Sequence, residues 1–141
     1  MYLLDTNVVS ELRKARTGKA DLCVIHWASG IPPEMLYLSV ITILELEMGT
    51  LSLERRDHQQ GRLIRLWLED QVLPTFEGRI LAVDTAVARK CAELHVPDRR
   101  AERDAMIAAT ALVHRMKVVT RNVTDFDQSM IEVLNPWTGD M

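Results

Sequence analysis

Cysteine, glycine, proline and aromatic residues are all scarce in this sequence, and each shortage closes off a class of protein. The two cysteines, Cys23 and Cys91, stand far apart with no CxxC or Cys/His spacing around them. That argues against a zinc or disulfide framework and for reduced thiols in apolar helical contexts. Six glycines and five prolines in 141 residues form no linker, repeat or low-complexity tract. The four histidines, His26, His58, His95 and His114, are too scattered for a metal site or a triad. No run approaches the roughly 18 to 20 uncharged apolar residues that a bilayer crossing needs. Asp5 interrupts the first apolar run too early for a signal peptide, so a cytoplasmic location and no membrane partner are expected. A net charge of −3 argues against coating nucleic acid by bulk electrostatics. Any nucleic-acid contact must then come from a local basic patch or a partner.

What is present suits a single domain over residues 1–141, with 48% hydrophobic and 26% charged residues. Short apolar runs at Tyr2–Leu4, Leu36–Val40, Ile80–Val83, Lys117–Thr120 and Ile131–Leu134 read as five strands. Helical spacing follows the first strand at Val8, Val9 and Leu12, and returns over Ala20–Ser29 until Gly30, Pro32 and Pro33 stop it. Another helix starts at Thr42. The longest helical pattern runs from about Leu53 to Val72, with Leu63, Leu66 and Trp67 as its apolar stripe. Thr85–Leu94 and about Glu102–Arg115 are helical too, the latter rich in alanine for close packing on a sheet. Strands separated by helices pair in parallel, with helices on both faces. The expected class is α/β, a three-layer α/β/α sandwich around a five-stranded parallel sheet.

Ligands of such sheets bind beyond the carboxyl ends of the strands, so the acids found there matter most. Asp5 and Asp84 follow the first and third strands, and Glu45 lies in the first turn after the second. Asp104 opens the alanine-rich helix, and Asp125 lies just beyond the fourth strand. Each has a purely structural alternative. Asp5 and Asp84 could cap helices, Glu45 could close a capping box with Thr42, Asp104 could complement a helix dipole and Asp125 could shape a turn. Taken together, several carboxylates on one sheet edge would repel one another and raise their pKa values, a penalty that a divalent cation removes. An all-oxygen donor set favours Mg²⁺ or Mn²⁺, and such a metal polarises a phosphodiester or activates water against it.

The segments LLDTNVVSEL, ITILELEMG, RDAMIAATAL, VVTRNVTDF and VLNPW, in that order from Leu3 to Trp137, resemble PIN-domain proteins of the VapC toxin family, in particular the FitB-like branch. The resemblance implies a PIN-like five-stranded fold, Mg²⁺- or Mn²⁺-dependent cleavage of an RNA substrate, and a homodimer. It also implies neutralisation by a small cognate antitoxin carrying its own DNA-binding domain. Carried onto this chain, the family acids are Asp5, Glu45, Asp104 and Asp125, while Asp84 falls outside the pattern. Asp5 and Asp104 are then the expected metal ligands, and Glu45 and Asp125 the groups that act through bound water. Asn7, Thr120 and Asn122 are expected to hydrogen-bond those carboxylates. Glu47 lies 200° around the helix from Glu45 and should face elsewhere.

Arg99, Arg100 and Arg103 cluster beside Asp104, and Arg99 and Arg103 are candidates for gripping substrate phosphates. The opposing view is a charged loop balancing Asp98 and Glu102. Trp27, Trp67 and Trp137 suit the core, with Trp27 and Trp67 as alternative anchors for an antitoxin. Competing readings are a structure-specific DNA nuclease using the same acids, and a non-catalytic partner of a DNA-binding antitoxin. A phosphoacceptor receiver or phosphatase fits poorly, because Thr6 and Asn7 follow Asp5 where those enzymes need a second acid.

Overall fold

A computed structural model describes residues 1–138, so the last three residues of the expected 1–141 domain lie outside the described residues. Five short strands form one parallel sheet: β1 (Tyr2–Leu4), β2 (Leu36–Ser39), β3 (Ile80–Leu81), β4 (Lys117–Val119) and β5 (Val133–Leu134). Their order is β3-β2-β1-β4-β5. The register sets Leu3 beside both Tyr37 and Val118, with Leu38 opposite Ile80 and Val118 opposite Val133.

Strands buried on both faces need apolar residues at every position, and consecutive residues here feed opposite cores. Leu3 and Val118 join one core with Val87, Leu94, Ile107 and Ala109. Leu4 and Val119 join the other with Val8, Trp27, Leu46, Leu68 and Phe76. Helices α1 (Thr6–Arg13), α2 (Leu22–Ser29), α3 (Val40–Arg56) and α4 (His58–Trp67) supply the second layer, and α4 continues through a π turn, Leu68–Val72, into a short α5 (Leu73–Thr75). Helices α6 (Thr85–Leu94) and α7 (Glu102–His114) supply the first. Fully buried side chains such as Leu3, Leu38 and Ile107 each contribute about 1.5–3 kcal/mol. Ala105, Ala108, Ala109 and Ala111 are all buried on α7, where small side chains allow a close approach to the sheet. The three-layer α/β/α architecture expected from the sequence is present.

Two helix boundaries differ from expectation. The helix after β2 starts at Val40, because the hydroxyl of Ser39 caps it by accepting from the Ile41 N–H at 3.0 Å. Glu45 therefore sits in the second turn and closes no capping box with Thr42. The pattern from Leu53 to Val72 is not one helix either. At Asp57 the backbone opens to φ −152°, ψ 96°, and the carboxylate caps α4 through the Gln60 N–H at 3.2 Å. The two helices then cross so tightly that a Cβ on Gly61 would come within 2.5 Å of Glu54 Cα. Arg65 binds the pair together, reaching Glu47 at 2.6 Å and Glu54 at 3.0 Å. Glu47 thus faces α4, as its helical phase predicts.

Candidate active site

Strand order reverses at the β1/β4 pair, where connections leave to opposite sides and open a crevice beyond the strand ends. Asp5 ends β1 at that point. Its backbone N–H extends the ladder to Val119 O at 2.9 Å, and its side chain is 93% buried by relative exposure of 7%. One carboxylate oxygen accepts the Thr6 N–H at 2.8 Å, and the other accepts the Thr120 hydroxyl at 2.8 Å. Thr120, fully buried at the end of β4, has no freedom left. Its single proton goes to Asp5, and its oxygen accepts from Asn7 Nδ2 at 3.2 Å and from the Asn122 N–H at 3.0 Å. Asn7 also reaches Asp5 Oδ2 at 3.5 Å and accepts the Arg121 N–H at 3.2 Å. Asn7 and Thr120 therefore occupy the expected positions beside Asp5. Asn122 differs: it acts through its backbone N–H on Thr120, and among the described residues its side chain bonds none of the acids.

Asp84 offers a local control. It too follows a strand and caps a helix, but its exposed carboxylate is used on the Val87 N–H at 2.9 Å, an ordinary cap. Asp5 caps only its immediate neighbour and turns the rest of its carboxylate to the β1/β4 crevice.

The other three acids converge there from separate elements. Glu45 projects from α3, where its Oε1 accepts the Thr6 hydroxyl at 2.6 Å and its Oε2 lies 3.6 Å from Arg103 Nη1. Thr6 was not singled out by sequence, yet it touches two acids, Asp5 through its N–H and Glu45 through its hydroxyl. Its hydroxyl also lies 3.4 Å from that of buried Thr42. The clue was its place between Asp5 and Asn7, which a reading focused on acids passes over. Asp104, half-buried in the first turn of α7, is pushed up to about 6, by burial first and then by the charges of Asp5, Asp125 and Glu45. Burial also raises Asp5, more than its hydrogen bonds to Thr120 and Thr6 lower it, with Glu45 and Asp125 adding to the rise. Asp125 rides on a single exposed turn, Val123–Asp125, held by its N–H to Asn122 O at 3.0 Å.

These mutual effects are the signature of a group that carries excess negative charge. Among the described residues no group of three or more His, Cys, Asp or Glu side chains is placed closely enough to hold a metal ion as it stands. The four acids lie near enough for their charges to act on Asp5 and Asp104. Their all-oxygen chemistry suits a hard divalent cation, which would offset both the burial and the neighbouring charges that raise Asp104.

The candidate phosphate-binding arginines each lie near a carboxylate, and for Arg103 that carboxylate is Glu45 of the site itself. Exposed Arg99 pairs with Glu102 at 3.3 Å, Arg100 with Asp127 at 3.2 Å, and Arg103 with Glu45. Of the tryptophans, Trp27 is buried and stacks edge-on against Tyr2 at 5.3 Å. Trp67 lines an apolar groove with Val9, Leu12, Val72 and Phe76. Both cysteines are free and partly buried. No described helix is long and apolar enough to cross a membrane.

Comparison with known proteins agrees with this architecture. A PIN domain model matches residues 2–128. VapC ribonuclease Y4jK of Sinorhizobium fredii is 37% identical, over 97% of this chain and 98% of its own length. Toxin FitB of Neisseria gonorrhoeae is 36% identical, over 97% of this chain and 99% of its own length. The crystal structure of FitAcB from Neisseria gonorrhoeae superposes with a TM-score of 0.86 at 35% identity, covering 97% of this chain and 99% of the matched one. The chain belongs to the PIN-domain family, alongside relatives named as a VapC ribonuclease and the toxin FitB.

Proposed function

We propose that the protein is the ribonuclease toxin of a type II toxin–antitoxin pair, cutting RNA phosphodiester bonds by divalent-metal-dependent hydrolysis in the cytoplasm. The observation that carries this reading is the convergence of Asp5, Glu45, Asp104 and Asp125 on the β1/β4 crevice in a chain so close to a VapC ribonuclease. A bound Mg²⁺ or Mn²⁺ supplies charge that polarises the phosphodiester and acidifies a water molecule.

Asp5 and Asp104 would hold the ion. Asp5 is preset for that role, because Thr6 and Thr120 fix its orientation before anything binds. Asp104 would have to be ionised to take part, which its burial and the neighbouring charges of Asp5, Asp125 and Glu45 oppose. Glu45 and Asp125 orient the attacking water and accept its proton. The Thr6 hydroxyl aims Glu45, and Arg103 balances the carboxylate from its other oxygen.

Toxicity requires a neutralising partner, a small antitoxin with its own DNA-binding domain. Leu44, Met48 and Leu51 leave an exposed apolar stripe on α3, which supports pairing of two copies into a homodimer.

The test is cleavage, by purified protein freed of partners, of one RNA and a DNA of equal sequence. The expected result is cutting of the RNA alone, dependent on added Mg²⁺ or Mn²⁺ and abolished by chelation. Cutting of both strands would favour a DNA nuclease with the same acids. Cutting of neither would leave a non-catalytic partner of a DNA-binding antitoxin.

A further inference from the structure

The cations on the two flanks of the acid-bearing crevice are used differently. On the α7 side Arg99, Arg100 and Arg103 are each paired with a carboxylate. On the α1 side Arg13, Lys14, Arg16 and Lys19 fall within seven residues, with no acid between Glu11 and Asp21. Glu11 is already committed. Its carboxylate accepts the Asp21 N–H at 2.8 Å and Lys14 Nζ at 3.2 Å. Among the described residues no ion pair takes up Arg13, Arg16, Lys19 or Arg121.

Three of these side chains make contacts with uncharged groups. Arg13 lies over the Trp67 ring at 5.9 Å, Arg16 donates to Gln71 at 2.7 Å, and Arg121 lies over Trp137 at 5.3 Å. Such contacts hold the side chains with no carboxylate in direct contact, so less entropy is lost when an anion arrives. The strip and the crevice are joined by α1, which is capped by Asp5 and carries Arg13 in its last turn. Arg121 stands between Thr120 and Asn122, with its N–H on Asn7. Its charge reaches Glu11, which the Asp21 N–H, Lys14 and Arg121 together hold below the usual carboxylate range. Helix α1 carries the path from Thr6, at the acids, to Arg13, a rise of about 12 Å for eight residues.

We propose that Arg121, Arg13, Arg16 and Lys19 form the phosphate track along which single-stranded RNA reaches the acidic crevice. The track rests on the ribonuclease reading above and names the part of that substrate's path which the acids, being negative, do not provide. In a chain of net charge −3 it is the local basic patch that nucleic-acid binding requires. A second group of unpaired cations, Arg55, Arg56 and Arg62, lies at the far end of α3 and on α4, away from the crevice. It supplies a control of equal charge.

The experiment measures binding of a fluorescent 20-nucleotide single-stranded RNA without divalent metal, so that no cleavage intervenes, across a salt series. The probe is titrated with the parent, Arg121→Ala, the triple variant Arg13→Ala/Arg16→Ala/Lys19→Ala, and the control triple Arg55→Ala/Arg56→Ala/Arg62→Ala. The track triple should bind about 10- to 100-fold more weakly near 0.1 M salt, with its log–log salt slope shallower by about 2, and Arg121→Ala several-fold more weakly. The control triple should stay within about threefold of the parent. Because Arg13→Ala could disturb Trp67, Lys19→Glu alone provides a second variant and should also weaken binding several-fold. Equal losses in the two triples, or an unchanged slope in the track triple, would overturn the track. Competition by polyglutamate as effective as by RNA would overturn it in favour of an acidic protein partner. The two readings fail separately: a parent that binds RNA through the strip but cuts none refutes the ribonuclease and keeps the strip, and a parent that cuts RNA with strip variants binding normally refutes the strip alone.

Discussion

Asp5 and Asp84 each stand between a strand and the helix they cap, Asp5 directly after β1 and Asp84 three residues beyond the end of β3, and the fold gives them unlike surroundings. Asp84 follows edge strand β3, is exposed, and caps α6 in the ordinary way through the third helical N–H. Asp5 follows central strand β1, is buried, and is held by Thr6 and Thr120 with three other carboxylates nearby. Local chemistry is the same at both. The difference lies in the neighbouring strand end: β1 has β4, with Thr120 and the turn bearing Asp125, where strand order reverses. A carboxylate becomes a candidate ligand here because of sheet topology, and remains a cap where that topology is missing.

The contrast can be broken most sharply with a metal ion. Titration with Mn²⁺, read by calorimetry, should find an affinity at least ~100-fold weaker for Asp5→Asn than for the parent, since loss of a ligand should exceed the 10- to 100-fold typical for its supporting partners. Asp84→Asn should bind Mn²⁺ as the parent does; equal losses would erase the distinction. Next come the partners themselves. Thr120→Val removes the hydroxyl that fixes Asp5 and should weaken Mn²⁺ binding by about 10- to 100-fold, with Thr120→Ser restoring most of it. Thr6→Val should lower cleavage with less effect on metal affinity, because it frees Glu45 while the backbone bond to Asp5 survives.

Stability should move in the opposite sense. Asp84→Ala loses a working cap and should cost about 1 kcal/mol in denaturant unfolding, with cleavage per folded molecule unchanged. The smallest effect is pH-dependent. Asp104 titrates near 6 in the fold, above its ordinary 3.8, so the folded state holds its proton longer than the unfolded one. Its contribution to metal-free stability is therefore full below about 3.8 and lost as pH rises through about 6. Asp104→Asn should accordingly gain stability relative to the parent as pH climbs from 4 to 7, checked by thermal unfolding without metal. Mg²⁺ should protect the parent more at pH 7 than at pH 5, because the ion competes with that proton.

Much of this arrangement was legible in the sequence because it rests on strong local signals. Continuous apolar runs bounded by acids mark doubly buried strands, and LLDTN, DAMIAATAL and TRNVTDF mark acids whose charges the fold brings to bear on one another. The break at Asp57 was less visible, since helical periodicity runs on through Arg56 and His58 and only tertiary crossing at Gly61 explains the interruption. The Asp57-to-Gln60 cap was its one local trace. Thr6 escaped notice for a similar reason: its bond spans 39 residues to Glu45, a distance that no spacing argument covers. Arg103 pointed to substrate by proximity, but in the fold it faces Glu45. Which cations remain free depends on which carboxylates the fold delivers to them, and that is decided only when the layers pack.

The central claim is that the acids at the β1/β4 crevice, and not acids after strands in general, perform metal-dependent RNA hydrolysis. Its most direct test is the initial rate of cleavage of one end-labelled RNA with Mg²⁺ by the parent, Asp5→Asn and Asp84→Asn, each first matched to the parent by circular dichroism. The expected result is a rate for Asp5→Asn lower by more than about 100-fold, with Asp84→Asn within about twofold of the parent. An Asp5→Asn protein that cuts the same RNA as fast as the parent would contradict it.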